Sequence, residues 1–262
     1  MYYLIMLYTA AMIRFLIIMD SLLLLSGNDI PFPEAQLIVH QPTLKEIAYI
    51  GEDSFFSGCE VLNFSKNLLP SKDRVNLENK TDFDIIMSIM IENSLEAKKK
   101  QIDVLLVLTL LFPNYSFKID KETFQIMLIK EDEVKQINNK NFKSFQDIIV
   151  NIFCLKNKEE EYNPKGTISQ KIADKLKERE QKLAKIKQQD NEKITILSRY
   201  ASILAVGEQK DLNILMNYTI YQLFDEWERF CLKMNYDAYV KAKMFGAKDL
   251  EEVEYWMKDI HA

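Results

Sequence analysis

Glycine and histidine are scarce in this chain, with six and two among 262 residues. Gly27, Gly51, Gly58, Gly166, Gly207 and Gly246 are isolated, so each reads as turn or cap punctuation. That excludes the glycine-rich loops that cradle phosphates, and no GxxxxGK, GxGxxG or GxSxG string occurs. His40 and the penultimate His261 have no second His or Cys at ligand spacing, which counts against a zinc site. Cysteine is sparse and odd in number. Cys59, Cys154 and Cys231 lie far apart, as reduced core thiols of a cytoplasmic protein do, rather than forming a disulfide framework. An excess of basic charge is also missing. Lys plus Arg is 34 against 39 for Asp plus Glu, a formal net charge of −5, so nucleic acid is not an expected partner.

What the chain does have is apolar content and helical periodicity. Its hydrophobic fraction of 48% is above that of a disordered chain. Its length suffices for one large domain or two small ones.

Residues 1–25 are almost wholly apolar and raise the question of a membrane segment. Arg14 sits within the run, where a charge costs about 3 kcal/mol on insertion scales. No basic region precedes the run. From Met19 onward the sequence reads as a domain beginning with a strand, a Gly-Asn-Asp turn, a proline-punctuated loop and a second strand. Met19 is therefore the expected start of translation, with 1–18 an upstream extension. A membrane-associated protein is the alternative if 1–18 are real.

Further on, Thr43 and Glu46 form an expected capping box for a helix carrying Ile47, Ile50, Phe55 and Cys59 on one face. Thr81 to Asp84 starts another, with Phe83, Ile86, Met87 and Met90 at helical spacing. Ile102 to Phe112 reads as a core helix too short to span a bilayer. Residues 115–119 and 123–130 read as a hairpin, with Phe124, Ile126 and Leu128 alternating. A helix over 141–155 carries Phe142, Phe145, Ile148, Ile149 and Ile152.

Composition shifts at Lys156. Residues 156–193 hold eleven basic and eight acidic residues around a narrow apolar stripe, as a solvated helical linker would. Beyond it, Thr219 and Gln222 form a second capping box, followed by Ile220, Leu223, Phe224, Trp227, Phe230, Cys231 and Met234 on one stripe. Asn235 is the expected cap of the next helix, which Gly246 ends. Asp249 and Glu252 suggest a further helix with Leu250, Val253, Trp256 and Ile260 inward. The expected fold is α+β and predominantly helical. Short β-hairpins pack on helices over 19–155, a charged linker covers 156–193, and a helical bundle covers 194–262.

No catalytic constellation emerges. Asp225, Glu226 and Glu228 share a helix with Trp227, but the stripe places all three on its polar side, an exposed charged face. No metal site and no cofactor is expected, and an enzyme is not the expected class.

Two stretches carry a resemblance. They are IPFPEAQLIVHQPTLKEIAYIGEDSFFSGCEVLNFSK, residues 30–66, and LNILMNYTIYQLFDEWERFCLKMNYDAYVKAKMFGAKDLEEVEYWMKDIH, residues 212–261. In phrasing both resemble the tail assembly chaperones of tailed phages of Gram-positive hosts. The resemblance implies a helix-rich, non-enzymatic adaptor of the host cytoplasm. Such an adaptor escorts the tape-measure protein while tail-tube subunits polymerise, and it self-associates in one version of the reading. It carries over no catalytic residues. A structural component of the virion, in the tail, neck or head, is the competing reading. Trp227, Phe230, Tyr236, Tyr239 and Trp256 are the candidate partner-binding residues, with plain helix packing as their competing role.

Overall fold

Three threonines start helices by the same device. The Thr43 hydroxyl accepts from the Glu46 amide at 3.3 Å, and the Glu46 carboxylate accepts from the Thr43 amide at 2.7 Å. Thr81 with Asp84, and Thr219 with Gln222, repeat the box. Each box satisfies donors that a helix N-terminus leaves free. The computed structural model describes residues 21–66, 77, 79–155, 196–247, 253 and 255–257. The readings of the apolar extension 1–18, of the charged linker 156–193 and of the Asp249 capping box lie outside them.

The described chain is α+β and mostly helical, as its periodicity predicts. It runs α1 (Ser21–Ser26), β1 (Ile30–Phe32), a 3-10 turn (Pro33–Ala35), β2 (Leu37–Val39), α2 (Leu44–Ile50) and α3 (Glu52–Leu62). Then come α4 (Asp82–Ile91), α5 (Leu95–Leu111), β3 (Ser116–Asp120), β4 (Gln125–Lys130), β5 (Glu133–Ile137) and α6 (Phe142–Ile152). The last elements are α7 (Ile196–Gly207), α8 (Leu212–Leu215) and α9 (Ile220–Met244).

Several expectations need correction. The leucines 22–25 are helix, not strand, and the first hairpin pairs Ile30 with Val39 and Phe32 with Leu37. The single helix expected after Thr43 is two, because Gly51 breaks it at φ 86°, a conformation that glycine adopts without strain. Both pieces still bury their apolar faces, through Ile47 on α2 and Phe55 and Cys59 on α3. The second hairpin has a third strand, β5, and Phe124 is not in a strand: it turns at φ 51° and is exposed. Helix α5 begins a full two turns before Ile102, capped by the Ser94 hydroxyl.

The core is a continuous cluster in which phenylalanines dominate. Phe145 stacks between Phe32 and Phe112 at 5.8 and 5.7 Å, Phe83 meets Phe142 at 4.8 Å, and Phe55 meets Phe153 edge-on at 4.9 Å. The three-stranded sheet lays Ile126, Leu128 and Ile137 on this cluster. Helices α3 and α5 cross where Gly58 has no side chain. A Cβ there would lie 2.5 Å from the Asp103 carbonyl oxygen. The adjacent Ser57 hydroxyl donates to the buried Asp103 carboxylate at 2.6 Å.

The C-terminal helices join the same cluster through Leu197, Ala201, Leu204, Leu215, Ile220 and Leu223. Thr43 and Thr219 form a β-bridge, so two capping boxes sit side by side. Leu44 N–H donates to the Tyr218 carbonyl at 2.8 Å and Lys45 N–H to the Met216 carbonyl at 2.9 Å. With Glu46 N–H on the Thr43 hydroxyl, the whole first turn of α2 is satisfied. The Leu197 amide, in the first turn of α7, donates to Glu52 at 3.0 Å. Among the described residues no helix is long and apolar enough to cross a membrane.

Candidate partner-binding site

Helix α9 is one uninterrupted rod from Ile220 to Met244, so Asn235 lies within it and caps nothing. Gly246 does follow its end at φ 83°, the left-handed position that favours glycine. The helix is buried only near its start, at Ile220, Tyr221, Leu223 and Asp225. Beyond Asp225 every residue is half-buried or exposed, and this stretch carries most of the candidate aromatics.

Those aromatics divide into two groups. Trp227 stacks flat on Tyr200 of α7, with centroids 4.4 Å apart and planes 11° apart, and Phe230 leans against it at 6.1 Å. Tyr200 also meets Phe224 edge-on. This group packs α7 on α9, and Gly207 makes room for it, since a Cβ there would lie 2.5 Å from the Phe230 ring tip. The second group stands further along. Tyr236 meets Tyr255 edge-on at 5.2 Å, Tyr255 leans on Trp256, and Tyr239 lies under the Lys243 ammonium at 4.6 Å. Val253, expected inward with Trp256, is exposed, while Trp256 is half-buried in a turn.

Phe230 and Trp256 meet at an open cleft of about 480 Å³. Leu25 of α1 and Tyr218 complete its apolar wall, and Glu208, Asp225, Glu226, Arg229 and Lys233 form its polar rim. The rim charges are tied in pairs. Lys210 bonds Glu226 and, at 3.2 Å, the Tyr218 hydroxyl; Arg229 bonds Asp225 at 3.2 Å; Lys233 lies 3.8 Å from Glu208. Gln222, on the same wall, donates to the Leu25 carbonyl at 2.7 Å and fixes α1 against α9.

Asp225 departs from the expected exposed face: it is buried, and α6 is among the elements that α9 touches. The nearby Cys154 thiol is pushed up to about 11, by burial and then by the charges of Asp225 and Glu228. Burial alone raises the Cys59 thiol far more. Both thiols are therefore poor nucleophiles.

Of the five aromatics expected at a partner surface, the structure brings Phe230 and Trp256 to the cleft. Tyr236 sits one ring away, through Tyr255. Tyr239 makes no aromatic contact among the described residues, and Trp227 packs against α7. Sequence reasoning missed Tyr200, Tyr218, Gln222 and the rim pairs. Only the Asp225–Arg229 pair left a readable signal, its i, i+4 spacing.

His40, the one described histidine, is a tie rather than a ligand. Its Nδ1 faces Asp29 at 2.8 Å and its Nε2 faces Glu46 at 3.3 Å, which joins the first hairpin to α2. Burial acts to raise the Glu46 pKa, but hydrogen bonds from the Thr43 amide and hydroxyl and from His40, with the His40 charge, hold it below the usual carboxylate value. Among the described residues no three His, Cys, Asp or Glu side chains are grouped to hold a metal ion.

Residues 185–261 match the family model described as the YomV second domain, a phage-type protein family. The match takes in α7, α8, α9 and the cleft residue Trp256, and it points to a phage protein. No curated protein and no solved structure matches the chain.

Proposed function

We propose that this chain is a non-enzymatic tail assembly chaperone of a phage, working in the host cytoplasm and binding the tape-measure protein with its C-terminal helices. The observation that supports the reading is the Phe230–Trp256 cleft, which lies within the phage-type match. An amphipathic helix presents apolar anchors at i, i+3, i+4 and i+7, and a groove holds such anchors when its walls are apolar and its polar groups already satisfied. Here the cations of the rim are each held by an acid, so docking leaves no charge stranded. The half-buried Trp256 supplies the wide, rigid contact typical of binding hot spots. Tail-tube subunits are the second expected partner. No acid–base or nucleophilic step belongs to this function.

Co-expression of the full chain with the tape-measure protein of the same phage tests the reading. Trp256→Ala is expected to weaken capture at least tenfold, as loss of a hot spot does, while the melting curve stays in place. Undiminished capture by the variant refutes the cleft as the site. Stoichiometric copies of the chain in purified virions would make it a structural component and overturn the chaperone reading.

A further inference from the structure

The end of α9 away from the cleft carries a bare stripe. Met234, Ala238 and Lys241 of α9, with Phe245 at its C-cap, follow one another at steps of four, three and four, the a/d spacing of a coiled-coil seam. All four are exposed, Met234 at 53% and Phe245 at 91%. Extended backward by the same steps, the stripe reaches Cys231 and Trp227, the face on which α7 packs. Helix α7 ends at Gly207, level with Phe230, and beyond it no described residue covers the seam, which runs on for about 18 Å, the length of twelve residues at the helical rise.

Its charges indicate what covers it. Asp237 borders the seam one position before Ala238, and Lys241 lies within it. Neither makes an ion pair within the chain among the described residues. When a second α9 is laid antiparallel along the seam, Met234 of one copy faces Phe245 of the other. Ala238 then faces Lys241. The small alanine leaves the opposing lysine room to bend aside, and the group beside it is Asp237. The two-fold axis repeats both contacts, so the stripe is complementary to itself in shape and in charge. We infer that the α9 seam pairs two copies of this chain antiparallel, about a two-fold axis, through Met234, Asp237, Ala238, Lys241 and Phe245.

Three turns of helix cover less than the roughly 1,200 Å² of a standard interface, so the pairing is reversible and concentration-dependent. It is independent of the cleft, which no seam residue lines.

Sedimentation velocity of the full chain over about two decades of concentration tests it. The expected result is a reversible monomer–dimer equilibrium that weakens with added salt. Phe245→Ser is expected to be monomeric throughout. Asp237→Lys and Lys241→Asp are each expected to be monomeric, because each sets like charges together twice. An equimolar mixture of those two variants is expected to recover the dimer, since every Lys then meets an Asp. All three positions are exposed, so unchanged melting curves confirm that folding is not the cause. A wild-type chain that stays monomeric, a dimer that persists in Phe245→Ser, or a mixture that fails to recover it would each overturn the inference. Trp256→Ala leaves the equilibrium unchanged, which separates this test from that of tape-measure binding.

Discussion

Replacing Gly58 by alanine sets two effects of opposite sign against each other. Within a helix, alanine is favoured over glycine by about 1 kcal/mol, so α3 taken alone gains stability. Its neighbours decide otherwise. The new Cβ would lie 2.5 Å from the Asp103 carbonyl oxygen, 2.8 Å from its carbon and 2.7 Å from a Val107 methyl. Carbon contacts are comfortable near 3.5–4.0 Å, so α3 and α5 must part by about an ångström. Overpacking of this kind costs about 1–3 kcal/mol. Parting the helices also stretches the Ser57–Asp103 hydrogen bond, and a buried group left unpaired costs about 1–3 kcal/mol. The net expectation for Gly58→Ala is a loss of about 2–3 kcal/mol, a melting temperature lower by roughly 5–10 °C. Gly207→Ala serves as the comparison. Its close contact is the tip of the Phe230 ring, a side chain that can turn away, so the loss is expected to stay below about 1 kcal/mol. Urea denaturation of the full chain measures both. A Gly58→Ala chain as stable as the parent, or a Gly207→Ala chain less stable than Gly58→Ala, would refute the reasoning.

Two further outcomes follow from the site. Trp227→Ala removes the flat stack on Tyr200 and is expected to cost about 3 kcal/mol in thermal or urea melts, whereas Trp256→Ala leaves them unchanged. A Trp227→Ala chain with a parental melt would show that the stack holds nothing together. Glu46 has a folded-state pKa below its unfolded one, so the unfolded chain binds more protons in acid. Its contribution is complete above the ordinary carboxylate range and is lost as pH falls through and below it. Melts of Glu46→Gln across the acid range are therefore expected to lose less stability than those of the parent. Parallel curves would show that Glu46 has no part in the acid response.

The elements most legible in the sequence were those whose signal is local. A capping box needs only four residues, and the boxes at Thr43 and Thr219 form as read. The α6 stripe from Phe142 to Ile152 buries every residue assigned to it. What escaped depends on distant partners. Strand β5 reads Glu-Val-Lys-Gln-Ile, mostly polar, and it is a strand because β4 pairs with it, Ile126 to Ile137. Helix α9 looked like two helices because Asn235 is a residue type that caps helix N-termini. Within the continuous helix it is an ordinary exposed position. Asp225 looked exposed because burial by elements far off in sequence leaves no mark on the periodicity of α9. The cleft was legible only as its aromatics, since its wall also needs Leu25 from the other end of the chain.

The bridge between Thr43 and Thr219 also sets an order of events during synthesis. Helix α2 leaves the ribosome early, yet the acceptors for its first two amides are the carbonyls of Met216 and Tyr218. At about 5–20 residues per second the intervening stretch of about 170 residues takes roughly ten to thirty seconds to appear. During that interval the Leu44 and Lys45 amides lack these acceptors, and the core lacks the leucines that α7 and α9 contribute. The nascent chain therefore waits, partly folded, for its own far end. Completion of the fold is a late event that closes the two ends of the described structure together, so a product stopped before Met216 would never reach it.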